Sequence, residues 1–146
     1  MNNYSEKFEK MRIAGKLASQ TLDMLTDHVK SGVSTDKIDQ LSYEFINDNG
    51  GYSAPLYYRG FKKSLCTSLN HVVCHGIPSE RILNEGDVVN IDVTAIVNEY
   101  YGDTSRMYTI GEISIKAKNL IDVTYESMMN AIKILKPGIK LGDIGF

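Results

Sequence analysis

At 146 residues, with 42% hydrophobic and 23% charged side chains, the chain has the size and composition of one globular domain. A net charge of -2, with its basic residues scattered, gives no reason to expect nucleic acid or an anionic membrane as a partner. No apolar run approaches the ~20 residues that span a bilayer, and the opening MNNYSEKFEKMR lacks the apolar core of a signal peptide, so Cys66 and Cys74 read as free thiols of a cytoplasmic protein.

Phe8, Met11, Ala14, Leu17, Ala18, Leu22, Leu25 and Val29 recur at helical spacing, which predicts a first helix over residues 5–31, stopped by Gly32. A second helix is predicted over STDKIDQLSYEFINDNGG, with Ser34 or Thr35 as its N-cap, Asp36 in its first turn and Asn49-Gly50-Gly51 at its end. Residues 52–63 read as an aromatic-rich loop punctuated by Pro55 and Gly60. Short strands are expected at residues 64–69 and 72–75, then a hairpin over residues 88–111 and a third helix over residues 114–135, closed by Lys136-Pro137-Gly138. The final LGDIGF reads as a helix start capped by Asp143. Two helices, several antiparallel strands and a helix make an α+β pattern.

The hairpin, VVNIDVTAIVNEYYGDTSRMYTIG, carries Asp92 and Asp103 inside its strands, where aspartate is depleted. With Asn98-Glu99 at the tip, paired residues have numbers that sum to 197, so Asp92 faces Ser105 and Thr94 faces Asp103. The aspartates then share one face as diagonal neighbours, roughly 7–8 Å apart, beside Asn90, Thr94 and Ser105. A three-residue loop or a bulge puts them on opposite faces, and Asn-Glu is not the strong Asn-Gly turn signal. Two carboxylates this close repel unless one is protonated or a cation lies between them. A pair of divalent metals resolves the repulsion. Pairing of one aspartate with Arg106 or a lysine, or a fully wet face, resolves it as well.

In NHVVCHGIP, a strand places His71, Val73 and His75 on one face, and His75 at its end is placed for a site as well as for a structural hydrogen bond. His28 reads as a surface residue near a helix C-terminus. Neither cysteine is a convincing nucleophile: Cys74 faces away from His75 in a strand, and Cys66 lies in an apolar run. Tyr52, Tyr57, Tyr58 and Phe61 line an apolar pocket or pack in the core.

Four segments in order, CHGIP (residues 74–78), GDVVNIDVTA (86–95), YYGDTSRMYTIG (100–111) and KPGIKLGDIG (136–145), together resemble the N-terminal half of a bacterial type I methionine aminopeptidase. The resemblance covers essentially the whole chain. It implies a pita-bread fold, two similar α/β halves around a dinuclear site for two divalent metal ions (cobalt, manganese, iron(II) or zinc). It implies that Asp92 and Asp103 are metal ligands, with Asp103 bridging both ions. His75 is implied as a catalytic residue that contacts the substrate and stabilises the tetrahedral intermediate, and Tyr58, Phe61 and Cys66 as the methionine pocket. The implied reaction is removal of the N-terminal methionine from nascent polypeptides near the ribosome, by a complete enzyme that is monomeric and cytoplasmic. The departures are Arg59 where the family usually has histidine, Lys62 where it has proline, and His71 where an acid is common; they bear on pocket geometry and substrate preference. The family's remaining metal ligands and its general-base glutamate come from a second half outside these residues. The expectation is thus one partial domain over residues 1–146, weakly active or inactive alone, with an exposed sheet edge. A non-catalytic pita-bread module that binds peptides or a partner protein is the competing reading, and a proline- or creatine-type hydrolase of the same fold a third.

Overall fold

The computed structural model describes residues 4–145 and divides into two compact units after Glu112. In the first unit, α1 (Tyr4–Leu25) and α2 (Thr35–Asp48) precede β1 (Tyr52–Ser53), a single 3-10 turn (Tyr58–Gly60), β2 (Cys66–Leu69), β3 (Val88–Val97) and β4 (Tyr100–Thr109). The second unit holds α3 (Ile115–Lys133) and a 3-10 turn at Leu141–Ile144. The α+β order read from the sequence is the one observed.

β3 is the spine of an antiparallel sheet. β4 pairs along its whole length on one side, while β1 and β2 share the other, β1 at Ile96 and Ala95 and β2 from Asp92 to Val89. The far side of β4 has no partner strand among the described residues. Along β3 burial alternates: Val89, Ile91, Val93 and Ala95 are buried and Asn90, Asp92 and Thr94 are half-buried. The buried set meets Leu17, Ala18, Leu22 and Leu25 of α1, Ile38 and Ile46 of α2, and Leu65, Leu83, Tyr108 and Ile110. Each such side chain contributes about 1.5–3 kcal/mol on leaving water. Both helices therefore lie on one face, and the polar residues of β3 are left to the other.

Gly102 brings α1 against β4. A Cβ there would stand 2.2 Å from the Ala14 carbonyl carbon and the Gly15 nitrogen, so the helix backbone sits where a side chain would be. Nearby, the Tyr108 hydroxyl donates to the Leu22 carbonyl at 2.6 Å, and the Arg106 guanidinium donates to Asp23 at 2.7 Å. Arg106 thus belongs to the helix face and is no partner for Asp92 or Asp103.

The first helix ends earlier than its apolar spacing predicts. After Leu25 the Thr26 hydroxyl turns back to the Leu22 carbonyl, while the Val29 N–H still reaches Leu25 and buries Val29 outside the helix. Gly32, at φ 88°, then gives its N–H to the Leu83 carbonyl at 2.9 Å. It punctuates a loop paired to residue 83 rather than the helix end. His28 is exposed in that loop. For α2, Ser34, one of the two N-cap candidates, is the cap and accepts the Lys37 N–H at 3.1 Å.

Residues 72–75 form no strand. Asn70 enters the left-handed region at φ 51°, turning the chain out of β2, and Val73 is 93% exposed. Turn geometry after Leu69 overrides the β preference of Val72-Val73. His71 and His75 consequently share no strand face, and the strand-based separation of Cys74 from His75 lapses with it.

By itself the second unit is a capped helix and a turn. Ser114 caps α3 by accepting the Ala117 N–H at 3.2 Å, and Gly138 at φ 97° follows its end. Asp143 is not the cap of the last turn. Lys140 is, and Asp143 accepts the Lys140 N–H from three residues on, at 2.8 Å. Phe146 lies outside the described residues.

Candidate metal centre

The hairpin tip fixes the site. Asn98 and Glu99 have φ values of 49° and 69°, both left-handed, which is the two-residue turn whose twist matches that of the flanking strands. The pairing that follows sets Asp92 opposite Ser105 and Thr94 opposite Asp103, the expected register. Both aspartates therefore lie on the face away from the helices. Thr94 donates its hydroxyl to Asp103 at 3.1 Å, and Asn90 donates to the Ser105 hydroxyl at 3.4 Å.

Asp103 perturbs Asp92. Burial first, then the Asp103 charge and a hydrogen bond shared with it, hold the Asp92 carboxyl above its ordinary value, while His75 pulls it the other way. Neither acid forms an ion pair with a lysine or arginine among the described residues. Two adjacent carboxylates without a side-chain cation suit a hard divalent ion, which takes oxygen ligands. They are too few to enclose one, and among the described residues no group of three or more His, Cys, Asp or Glu side chains is arranged to hold a metal ion.

A cavity of about 850 Å³ opens over this face. Asp92, Asp103, His75, Tyr58, Phe61 and Cys66 all line it, so every site residue expected from the sequence faces one space. Arg59, Lys62, Ala54, Pro55, Ile77, Thr94 and Tyr101 complete the lining with Gly60. Tyr52 and Tyr57 do not line it; they are 55% and 79% exposed elsewhere. Tyr101 was legible in principle, since alternation along β4 puts it on the face of Asp103. Ala54, Pro55 and Ile77 carried no signal, because loops without periodicity brought them there.

Each loop of the cavity is tied to the core. Cys66 pairs with Asp92 in the sheet, and burial, followed by the nearby Asp92 charge, pushes its thiol up to about 11. It is a neutral wall residue and not a nucleophile. The aromatic loop is braced by Asp39, whose carboxylate accepts the Ser64 N–H at 2.7 Å and the Ser64 hydroxyl at 2.6 Å, and by Lys63 donating to Asp36 at 2.7 Å. His75 sits at φ 55° beside Gly76. Gly76 accepts the Thr67 N–H at 2.8 Å, and a Cβ on it would lie 2.1 Å from the Thr67 oxygen, so only glycine lets this loop run against β2. Farther along, Thr35 exchanges hydrogen bonds with the backbone of Ser79, both at 2.9 Å, fastening the loop to the start of α2.

Comparison with known proteins bears on the family and the fold. The sequence model of Metallopeptidase family M24 matches residues 9–146. The methionine aminopeptidase of Rickettsia prowazekii is 57% identical over 98% of this chain and 56% of its own length, and that of Salmonella typhimurium 48% identical over 97% and 54%. The chain thus spans about half the length of the curated relatives it matches. Among solved structures, the Rickettsia prowazekii enzyme superposes with a TM-score of 0.95 over 97% of this chain and 57% of that one. Methionine aminopeptidase from Thermotoga maritima gives 0.90 at 36% identity, over 93% and 55%. Prolidase from Pyrococcus furiosus, at 20% identity and a TM-score of 0.83, shares the fold alone. The architecture is that of half a pita-bread fold, and the chain belongs to metallopeptidase family M24.

Proposed function

We propose that these residues are the N-terminal portion of one catalytic domain that removes the N-terminal methionine from nascent proteins in the cytoplasm, near the ribosome. The observation that carries this reading is the convergence of two ion-pair-free aspartates, a histidine and an apolar wall on one cavity. Asp92 and Asp103 would be among the residues that hold divalent ions (cobalt, manganese, iron(II) or zinc) in the complete enzyme. When bound, such ions supply Lewis-acid polarisation of a carbonyl and activation of water. Thr94 holds the Asp103 carboxylate in one orientation through its hydrogen bond. His75 lines the cavity and would hydrogen-bond the substrate peptide at the reacting carbonyl. Tyr58, Phe61 and the un-ionised Cys66 form the surface against which an unbranched thioether side chain packs. The complete enzyme works as a monomer.

Ligand count sets the expected behaviour of the 146-residue chain. Two carboxylates bind a divalent ion weakly, so turnover of a Met-initiated peptide with cobalt, manganese or iron(II) is expected to be slight. Calorimetric titration with Mn(II) should nevertheless show binding that Asp92→Asn weakens at least tenfold. Indifference of the titration to that substitution would favour a non-catalytic peptide-binding module of the same fold. Strong turnover that Asp103→Ala abolishes would show that ligands beyond this chain are dispensable.

A further inference from the structure

Between the aromatic loop and β2, residues 63–65 are tied to two carboxylates of α2, those of Asp36 and Asp39. One oxygen of Asp39 accepts the Ser64 N–H at 2.7 Å, the Ser64 hydroxyl at 2.6 Å and the Leu65 N–H at 3.3 Å. The Lys63 ammonium donates to Asp36 at 2.7 Å and stands 3.9 Å from the other Asp39 oxygen. Hydrogen bonds to an ionised acceptor are stronger than those between neutral groups, so one carboxylate holds two successive backbone N–H groups firmly.

The post that carries Asp39 is rigid. Ile38 and Ile46 of the same helix are fully buried in the core, and their packing fixes where the carboxylate stands. Ser64 and Leu65 are buried as well, so their N–H groups have little water to turn to if Asp39 is lost. From this anchor the chain enters the cavity wall in both directions. Leu65 packs in the core, and Cys66, the next residue, lines the cavity opposite Asp92 in the sheet. Three residues before Ser64, Phe61 lines the same cavity. A shift of residues 64 and 65 therefore moves both walls.

We propose that Asp39 is a positioning residue for the methionine pocket. Its carboxylate lies outside the cavity lining, yet it sets where Phe61 and Cys66 stand and with them the preference for methionine as the first residue of a peptide. A supporting contact of this kind acts on selectivity because a pocket wall that is loosely held fits no side chain closely. The assignment rests on the aminopeptidase reading, in which Phe61 and Cys66 pack against the methionine side chain.

Fluorescence anisotropy on the 146-residue chain with Mn(II) tests this, using C-terminally labelled Met-Gly-Ser-Ser and Ala-Gly-Ser-Ser. The parent should bind the methionine peptide about 10-fold more tightly, and Asp39→Ala should bring the two within about 2-fold, the scale on which apolar pockets discriminate. The ratio is the readout, because a variant that is merely less folded loses affinity for both peptides equally. Asp39→Asn keeps an oxygen for the Ser64 and Leu65 N–H groups and should restore most of the preference. Should Asp39→Ala fail to fold, Ser64→Ala, which removes the hydroxyl bond and leaves both N–H bonds, should lower the ratio partway with circular dichroism like the parent's. A ratio unchanged in the folded alanine variants, or no better in Asp39→Asn than in Asp39→Ala, overturns the positioning role and leaves the aminopeptidase reading intact. A parent that binds both peptides alike, or neither, overturns both.

Discussion

Asp87 shows how single residues hold the cavity loops in place. It is 8% exposed and accepts hydrogen bonds from Asn70 at 2.9 Å, the Asn84 N–H at 2.9 Å and Arg81 at 3.3 Å. It thereby ties the turn after β2 to the loop before β3. Burial alone would raise its carboxyl, but Asn70, Asn84 and Arg81 outweigh it and leave Asp87 below the ordinary value. A depressed folded value means that the unfolded chain takes up the proton first as pH falls. The stabilisation is complete above the unfolded value, about pH 4, and is lost as pH drops through the folded value. Asp87→Asn should cost about 1–3 kcal/mol at pH 7 by leaving donors unmet. In urea melts at decreasing pH, the gap between variant and parent should narrow below about pH 4. A gap that widens on acidification would contradict this account.

At the scale of elements, the packing of α1 on the hairpin depends on an absent side chain. Gly102→Ala would put a methyl 2.2 Å from the α1 backbone, which cannot yield as a flexible side chain does. The expected loss is about 1–3 kcal/mol or more, read as a lower urea midpoint with an unchanged slope. The strand alternation that buries Val89, Ile91, Val93 and Ala95 was legible in the sequence, because one-sided burial imposes a period of two. So was the N-cap at Ser34, whose hydroxyl acts over three residues. The end of α1 and the loop carrying His75 were not. The loop after α1 is pinned by Gly32 to Leu83, far along the chain, and the His75 loop by Gly76 to Thr67 across a turn, contacts that no periodic pattern encodes. His75 and Tyr58 were reached through motif resemblance, since the left-handed backbone and the loop braces that aim them leave no periodic trace.

For the whole molecule, the candidate metal centre opposes stability to function. The helix-side core is apolar, while the opposite face keeps two carboxylates together with no ion pair to a lysine or arginine among the described residues. Like charges in diagonal register cost a few tenths to about 1 kcal/mol. In metal-free protein Asp92→Asn should therefore unfold at a higher temperature than the parent, by about 2–4 °C per kcal/mol relieved. Added Mn(II) should raise the parent's midpoint more than the variant's, because a ligand stabilises in proportion to its affinity for the folded state. A variant that melts lower than the metal-free parent would show that Asp92 has a structural role outweighing the repulsion.

The left-handed pair at Asn98-Glu99 also constrains how this gene segment can change length. Asp92 and Asp103 share a face because their separation in sequence, 103 minus 92, is the odd number 11. While the tip stays a two-residue turn, adding or deleting one codon within a strand makes the separation even and sends one carboxylate to the side that packs on α1. Two codons together restore the parity. Descendants of this sequence that keep the two-residue tip can therefore exchange its residues with some freedom, but should gain or lose strand residues between the aspartates only in pairs.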